Sequence, residues 1–307
     1  MMTRQFSANG KFLLTGEYLV LHGALALALP TRLGQTLTVE TFCKTSLQWD
    51  AHKPDGPWFS AEIDKDRLEI LSCDDLPKAQ RLVEILKALQ ALKPDAFQQG
   101  YHFETRLDFD PEWGLGSSST LIANLAQWAE VDPYQLLKMT FGGSGYDIAC
   151  ATATSPIFYQ RLHDQPKAQT ADFNPPFKDQ LYFVYSGNKQ SSSAEVKGFN
   201  KSFHKDEHLK DIDLVSEISR KLPTLTQLTD FQACLDLHEE IMSRCLGRLP
   251  VKTMSFQDFE GSLKSLGAWG GDFLLAATEW PCQQVKDYFV SKGMEIVLNY
   301  QDIIIEP

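Results

Sequence analysis

The run Gly114-Leu115-Gly116-Ser117-Ser118-Ser119 constrains this chain more than any other stretch. Ahead of it, residues 101–109 alternate as a half-buried strand does. Behind it, Leu121, Leu125 and Trp128 recur at helical spacing over 120–130. A strand that passes through two glycines into a helix must turn tightly, with its main chain open to a ligand. The start of that helix offers unpaired amides and the positive end of the helix dipole, both suited to phosphate. The three hydroxyls can cap the helix, donate to phosphate oxygens or hold a magnesium-bound water. The run is not a Walker loop, because no lysine follows the second glycine at the GK[ST] spacing. It is not the dinucleotide GxGxxG either, since position 119 is Ser and no early βαβ unit surrounds it. Read alone, it fits a phosphate cradle and an ordinary Ser-capped turn about equally well.

Charge narrows the partners. Lys and Arg total 29 against 40 Asp and Glu, a formal net charge of −11. Such a chain lacks the broad basic face that a phosphate backbone needs, which argues against nucleic acid. With 43% hydrophobic and 22% charged residues, long disorder is excluded. The six cysteines, at 43, 73, 150, 234, 245 and 282, form no CxxC, and none pairs with a histidine at zinc-ligand spacing. Buried thiols in a reducing compartment are expected. The first residues show no signal-peptide core, and the apolar stretch 19–29 is too short to cross a bilayer and contains His22. The expectation is a cytoplasmic protein without a membrane partner.

A length of 307 residues suits two domains. Strands are expected at 12–14, 18–21, 25–29, 36–42, 101–109, 180–185, 273–277, 295–298 and 302–305. Helices are expected at 76–92, 120–130, 192–199, 208–222, 227–245, 255–266 and 283–292. Another should open at Pro133 with Asp132 as its N-cap. The polar, proline-bearing stretch 161–179 predicts the boundary, giving domains 1–170 and 171–307. Strands and helices alternate irregularly, so the fold class is α+β and not a doubly wound parallel sheet.

Three further segments could carry chemistry. Gly143-Ser144-Gly145-Tyr146-Asp147 sets a carboxylate just past a flexible turn. Asp147 could act as a base, ligate magnesium, or simply cap a helix, the commoner role. Gly10-Lys11 precedes Gly16-Glu17-Tyr18. There Lys11 could neutralise phosphate and Glu17 hold a cation, or the two could form a surface ion pair. Gly267-Ala268-Trp269-Gly270-Gly271-Asp272 is a third glycine-rich stretch, between an expected helix and an expected strand; a plain tight turn fits it as well.

Taken in order from Ala8 to about Phe273, these segments resemble the motifs of the GHMP kinases, the superfamily of galactokinase and the homoserine, mevalonate and phosphomevalonate kinases. The resemblance implies a two-domain fold: an N-terminal domain like the second domain of ribosomal protein S5, a ferredoxin-like C-terminal domain, and an active site in the cleft between them. It implies that Gly114, Leu115, Gly116, Ser117, Ser118 and Ser119 wrap the phosphates of ATP, that Ser118 helps hold Mg2+, and that Glu17 faces the metal region. It further implies Asp147 as the catalytic aspartate with Lys11 beside it, and Gly267, Ala268, Gly270 and Gly271 as a loop shaping the cleft floor. Gly16-Glu17-Tyr18 and Gly143-Ser144-Gly145-Tyr146-Asp147-Ile148-Ala149 are similar to phosphomevalonate kinases, as is Gly270-Gly271-Asp272. The Gly-Tyr-Asp-Ile-Ala string also resembles the small branch named after it. The segment 185–192 is similar to an acceptor-side segment, which places Lys189 and Ser191, with Tyr18, near the substrate; Lys197 and Arg4 are further basic candidates for its acidic group.

The implied activity is ATP-dependent phosphorylation of a small acidic alcohol, phosphomevalonate or mevalonate first, by a monomer or homodimer. Homoserine or a sugar as acceptor, a decarboxylase of the same superfamily, and an idle nucleotide-binding protein are the alternatives. Two departures bear on them. Asn9 stands where the first motif usually has Pro, and Trp269 where the third usually has Gly. The indole would narrow the cleft, stack on a ligand or pack on the other domain.

Overall fold

The segment 11–32 decides how the chain divides. It is almost continuously apolar, and Phe12, Leu13, Leu14, Leu19, Val20, Ala24 and residues 26–29 are all buried. In the computed structural model, which describes residues 3–42, 45–162, 165–187 and 192–307, this segment belongs to a unit formed mainly by the last half of the chain. The first unit comprises Met1–Gly10, Leu33–Pro111 and Leu115–Thr152; the second comprises Lys11–Arg32, Glu112–Gly114 and Ala153–Pro307.

Strands β1 (Thr3–Leu13) and β2 (Ala26–Phe42) each run from one unit into the other. The first unit continues with β3 (Ser46–Lys53), β4 (Gly56–Asp64), β5 (Ile70–Cys73), α1 (Leu76–Leu92), β6 (Gly100–Leu107), α2 (Ser117–Ala129), α3 (Pro133–Thr140) and α4 (Tyr146–Ala151). Its strands lie in the order β5-β4-β3-β6-β2. The β3–β6 pair is parallel, with Leu47 opposite Tyr101, and the other pairs along this path are antiparallel. Leu37, Val39, Trp49 and Phe103 on the sheet pack with Leu82, Leu86 and Leu89 of α1 and with Leu125 and Trp128 of α2. Local chemistry sets the helix ends. Asp75 accepts from the Lys78 amide at 3.0 Å, and Asp132 accepts from the Tyr134 amide at 2.9 Å with Pro133 in the first turn.

The second unit adds β7 (Ile157–Leu162), β8 (Gln165–Thr170), β9 (Leu181–Tyr185), α5 (Ser192–Ser202), α6 (Leu209–Lys221), α7 (Leu228–Leu246) and α8 (Val251–Ser255). It ends with β10 (Ser262–Leu266), β11 (Phe273–Ala277), α9 (Cys282–Ser291), β12 (Val297–Asn299) and α10 (Tyr300–Ile303). Strands β10-β11-β9-β12 form an antiparallel sheet in that order. Read along the chain from β9, the pattern is strand, helices, two strands, helix, strand, which is the ferredoxin-like arrangement. Phe12 stacks on Phe183 of β9 at 4.4 Å and meets Phe273 of β11 edge-on at 5.1 Å. Among the described residues, no helix is long and apolar enough to cross a membrane.

Four expectations need correction. Residues 262–266, expected within a helix, form β10 and are buried on both faces. The apolar pattern of a fully buried strand does not separate it from a buried helix. The informative residue is Gly261: at φ +134° a Cβ there would lie 2.3 Å from the Ala277 carbonyl oxygen, so the chain must pass flat against β11. Residues 18–21, expected as strand, make a 3-10 turn after Tyr18, whose φ is +59°. Near the end, 302–305 is not a strand: α10 precedes a single bridge from Ile304 to Thr31. The stretch 161–179 holds β8, paired with β7 inside the second unit, while the units change at 152–153.

Phe12 is 4% exposed between two rings. We expect Phe12→Ala to cost about 3–5 kcal/mol, read as a lowered urea midpoint, although the residue lies near the start of the chain.

Candidate active site

The glycine loop turns directly into the start of α2. Gly114 and Gly116 have φ of +67° and +98°, and Gly116 sits at the N-cap, where no side chain closes the first turn. Leu115 is fully buried and anchors the loop. The Ser119 hydroxyl donates to the Gly116 carbonyl at 2.9 Å. Thr120 donates to the same carbonyl and, at 3.0 Å, to Gln35 Oε1, while Asn124 Nδ2 donates to the Gln35 carbonyl, fastening α2 to β2. The side chains of Leu115 and Ser119 thus hold the loop, whereas Ser118 is exposed and Ser117 partly so.

Gly114 is held from two sides within the second unit. Lys11 Nζ donates to its carbonyl at 2.9 Å. A Cβ on Gly114 would fall 2.2 Å from Asp272 Oδ2, so only glycine fits against that carboxylate. Asp272 ends the third glycine stretch, and its carbonyl accepts from the Ser186 amide at 2.9 Å. Sequence reasoning placed Asp272 in a motif without giving it a task; in the fold its carboxylate packs against Gly114.

Asp147 is the second residue of α4, behind Gly145 as N-cap, so the reading of it as an ordinary helix cap is corrected. The Ile148 amide donates to its Oδ1 at 3.1 Å. Tyr134 lies near: burial, together with the charge of Asp147, holds its phenol up at about 12, so it keeps its proton. Gly142 and Gly143, both at positive φ with open space around them, let the chain reach α4.

In the first unit, a cavity of about 140 Å³ opens beside this loop, lined by Trp49, Trp58, Lys78, Arg81, Ser117 and Ser118 among others. Arg81 lies 4.0 Å over the Phe141 ring and donates to the Thr140 carbonyl at 3.0 Å; Lys78 lies 5.7 Å from the Trp58 ring. Sequence reasoning missed this wall. Its signals were Lys78 and Arg81, three apart on α1, and two tryptophans on strands that meet only through the sheet.

Glu17, expected at the metal, is used otherwise. It is 3% exposed and ion-paired to Lys264 of β10, itself 1% exposed. His238 Nε2 is 3.3 Å from Glu17 Oε2, yet this is not a second ion pair. The Gly16 amide donates to that same nitrogen at 3.1 Å, which requires a lone pair there, and burial holds the imidazole well below its ordinary pKa, with Lys264 adding to the effect. His238 is neutral. Glu239 Oε1 lies 3.9 Å from Lys264, and burial pushes its carboxyl up to about 8 against the pull of that lysine. Burial also raises Glu17, with Lys264 opposing. Lys264 pairs with Glu17, while Glu239 keeps its proton at neutral pH.

Tyr18 and Trp269 explain each other. The Trp269 amide donates to the Tyr18 hydroxyl at 2.8 Å, and the indole N–H donates to the Leu249 carbonyl at 3.3 Å. Burial holds the Tyr18 phenol up at about 12. The indole is 9% exposed. Gly267 and Gly270 take φ of +78° and +71°, Ala268 is buried, and the Gly271 amide closes the turn on the Ala268 carbonyl at 3.0 Å. Asn9 is an internal residue of β1, where proline would remove an amide from the strand. Arg4 is 3.9 Å from Glu130, and Lys197 is an exposed residue of α5. Lys189 and Ser191 lie outside the described residues.

No protein-family model and no curated protein matches the chain. Solved structures do. L. major mevalonate kinase in complex with R-mevalonate superposes with a TM-score of 0.68 at 17% identity, covering 100% of this chain and 97% of that one. Streptococcus pneumoniae phosphomevalonate kinase in complex with phosphomevalonate and AMPPNP gives 0.69 at 15% identity, covering 96% and 98%. Lactococcus lactis galactokinase complexed with galactose gives 0.62 at 12% identity, covering 90% and 85%. This is the two-domain GHMP kinase fold. The likeness is one of backbone, and what the residues do rests on the geometry above.

Two outcomes test the buried cluster. Lys264→Met strands Glu17 and should cost about 3–5 kcal/mol, part of it recovered by adding Glu17→Gln; urea unfolding of the single and double variants measures both. Glu239 has a folded pKa of about 8 against an ordinary 4.5. Its contribution is fully present below the ordinary value and is lost as pH rises towards the folded one. Glu239→Gln should therefore gain on the parent between pH 5 and 8, seen as a widening gap in urea midpoints.

Proposed function

We propose that the protein is an ATP-dependent kinase of a small acidic alcohol, with phosphomevalonate or mevalonate as the first candidates. The observation that carries this reading is the uncapped start of α2. Two glycines at positive φ lead into it, Ser118 is exposed on it, and an aromatic cavity with two cationic side chains lies beside it. Amides at a helix start bind phosphate oxygens, and the rings of Trp49 and Trp58 supply flat apolar walls for a purine base. Lys78 and Arg81 line the same cavity, Lys78 paired with Asp75 and Arg81 with Glu84.

The donors fit Mg2+ in part. The exposed hydroxyl of Ser118 suits it, whereas Glu17 is committed to Lys264. When bound with the nucleotide, magnesium neutralises phosphate charge. The chain's own groups do the rest. Lys11 fixes the Gly114 carbonyl and brings a positive charge to the loop. Asp147 accepts, or orients, the proton of the acceptor hydroxyl. Phosphoryl transfer needs positioning and charge neutralisation more than covalent help, and these residues provide both.

The acceptor class rests on the motif strings around Asp147 and Asp272, which are similar to phosphomevalonate kinases. It also draws support from the two neighbours that hold R-mevalonate and phosphomevalonate. Homoserine and a sugar are the competing acceptors.

We expect Asp147→Asn to lower turnover by about 10²–10⁴-fold while thermal stabilisation by Mg-ATP persists. A coupled ATP-consumption assay over mevalonate, phosphomevalonate, homoserine and galactose ranks the acceptors on the parent protein. Undiminished turnover in the variant overturns the role of Asp147, and no turnover with any acceptor counts against the kinase reading itself.

A further inference from the structure

Where α6 begins and α7 ends, three donor side chains of different chemistry converge. His208 precedes α6, Asp211 lies in its first turn, and Cys245 is in the last turn of α7. His208 Nδ1 is 2.9 Å from Asp211 Oδ2, and Cys245 Sγ is 3.6 Å from each of those two atoms. None of the three belongs to the loops assigned to phosphoryl transfer.

These distances are close to those between the ligands of a tetrahedral metal site. Zinc bonds of about 2.0–2.1 Å to nitrogen and oxygen and about 2.3 Å to sulfur, at tetrahedral angles, put donor atoms about 3.3 Å apart for N···O and about 3.6 Å apart for S···N and S···O. Both sulfur distances match, and the N···O distance falls within a few tenths of an ångström. One ion fits on the three donors with only a slight opening of the His–Asp contact.

We propose that His208, Asp211 and Cys245 form a binding site for a single zinc-like divalent ion that clamps the start of α6 to the end of α7.

Three further observations support the assignment. The imidazole plane is set by Phe203, which stacks on it at 4.7 Å and 15°. The carboxylate is aimed by Arg244, whose Nη2 donates to the other oxygen, Oδ1, at 2.8 Å and leaves Oδ2 turned to His208 and Cys245. Such outer partners orient the ligands of metal sites. The side chains of His208 and Asp211 are 24% and 16% exposed, so an ion can enter. A thiol, an imidazole and a carboxylate together select a borderline metal over magnesium or calcium. A Cys-His-Asp catalytic relay is excluded by the geometry, because the sulfur and the carboxylate both approach the same ring nitrogen. In the metal-free protein the Cys245 thiol donates to Asp211. As the metal–sulfur bond forms, that proton leaves to solvent, and the charge of the thiolate offsets one charge of the ion.

The clamp also bears on the rest of its unit. Ser216 and Ser219 of α6 hold the N-terminal segment: Ser216 Oγ accepts from the Leu25 amide at 2.9 Å, and Ser219 Oγ donates to the Leu25 carbonyl at 2.7 Å.

The test uses full-length, chelator-treated protein titrated with Co2+, a spectroscopic stand-in for zinc. We expect one equivalent to bind, with the visible bands of tetrahedral cobalt and a near-ultraviolet thiolate-to-cobalt band, and Zn2+ to displace it while excess Mg2+ does not. Cys245→Ser should abolish the thiolate band, and His208→Ala should weaken cobalt binding at least about 10-fold. Zn2+ should raise the melting temperature of the parent and leave that of Cys245→Ser unmoved. The proposal is overturned if the parent shows no thiolate band, or if the band survives in Cys245→Ser and comes from another of the six cysteines. If Cys245→Ser fails to fold by circular dichroism, His208→Ala decides: unchanged cobalt affinity there overturns the site. The outcome does not depend on the kinase reading.

Discussion

The buried ion pair between Glu17 and Lys264 is the contact on which the second unit depends. It joins the first glycine motif to the strand that leads into the third, across 247 residues of sequence. One position further along, Tyr18 takes the amide of Trp269. Together these contacts fix where the loop 267–272 begins, and therefore where Asp272 meets Gly114. A buried charge without a partner is costly, whereas a paired one is tolerated and specific. Glu17 looks like a ligand in sequence because it matches the motif glutamate of the family that the chain resembles. In the fold it is an internal fastening.

Much of the architecture was legible because it is locally encoded. α1 has Asp75 to cap it and leucines at helical spacing, and α3 has Asp132 and Pro133. The glycine loop was visible because positive φ at Gly114 and Gly116 requires glycine and the hydroxyl run follows at once. What was hidden depends on distant partners. β10 reads as helix until Gly261 is seen to lie against Ala277. The pairing of Glu17 with Lys264, the aromatic cavity and the cluster of His208 with Cys245 join residues that no spacing rule connects. A search for zinc spacings among the cysteines fails for the same reason: Cys245 lies 37 residues from His208 along the chain.

The net charge of −11 gives anionic ligands little long-range attraction. On the proposed function, binding would rest on local devices: the uncapped amides at α2 and Lys11 on the Gly114 carbonyl. Overall acidity argues against broad polyanion binding and does not bear on a small anion held at short range.

The interleaved path of the chain also governs its birth. The apolar segment 11–32 is made well before Phe183, Lys264 and Phe273, which pair with it in the fold. At about 5–20 residues per second, Glu17 waits roughly 12–50 seconds for its lysine. During that interval the apolar residues of the segment lack the partners that bury them in the fold. No single cut divides this protein into two halves that each carry a whole unit.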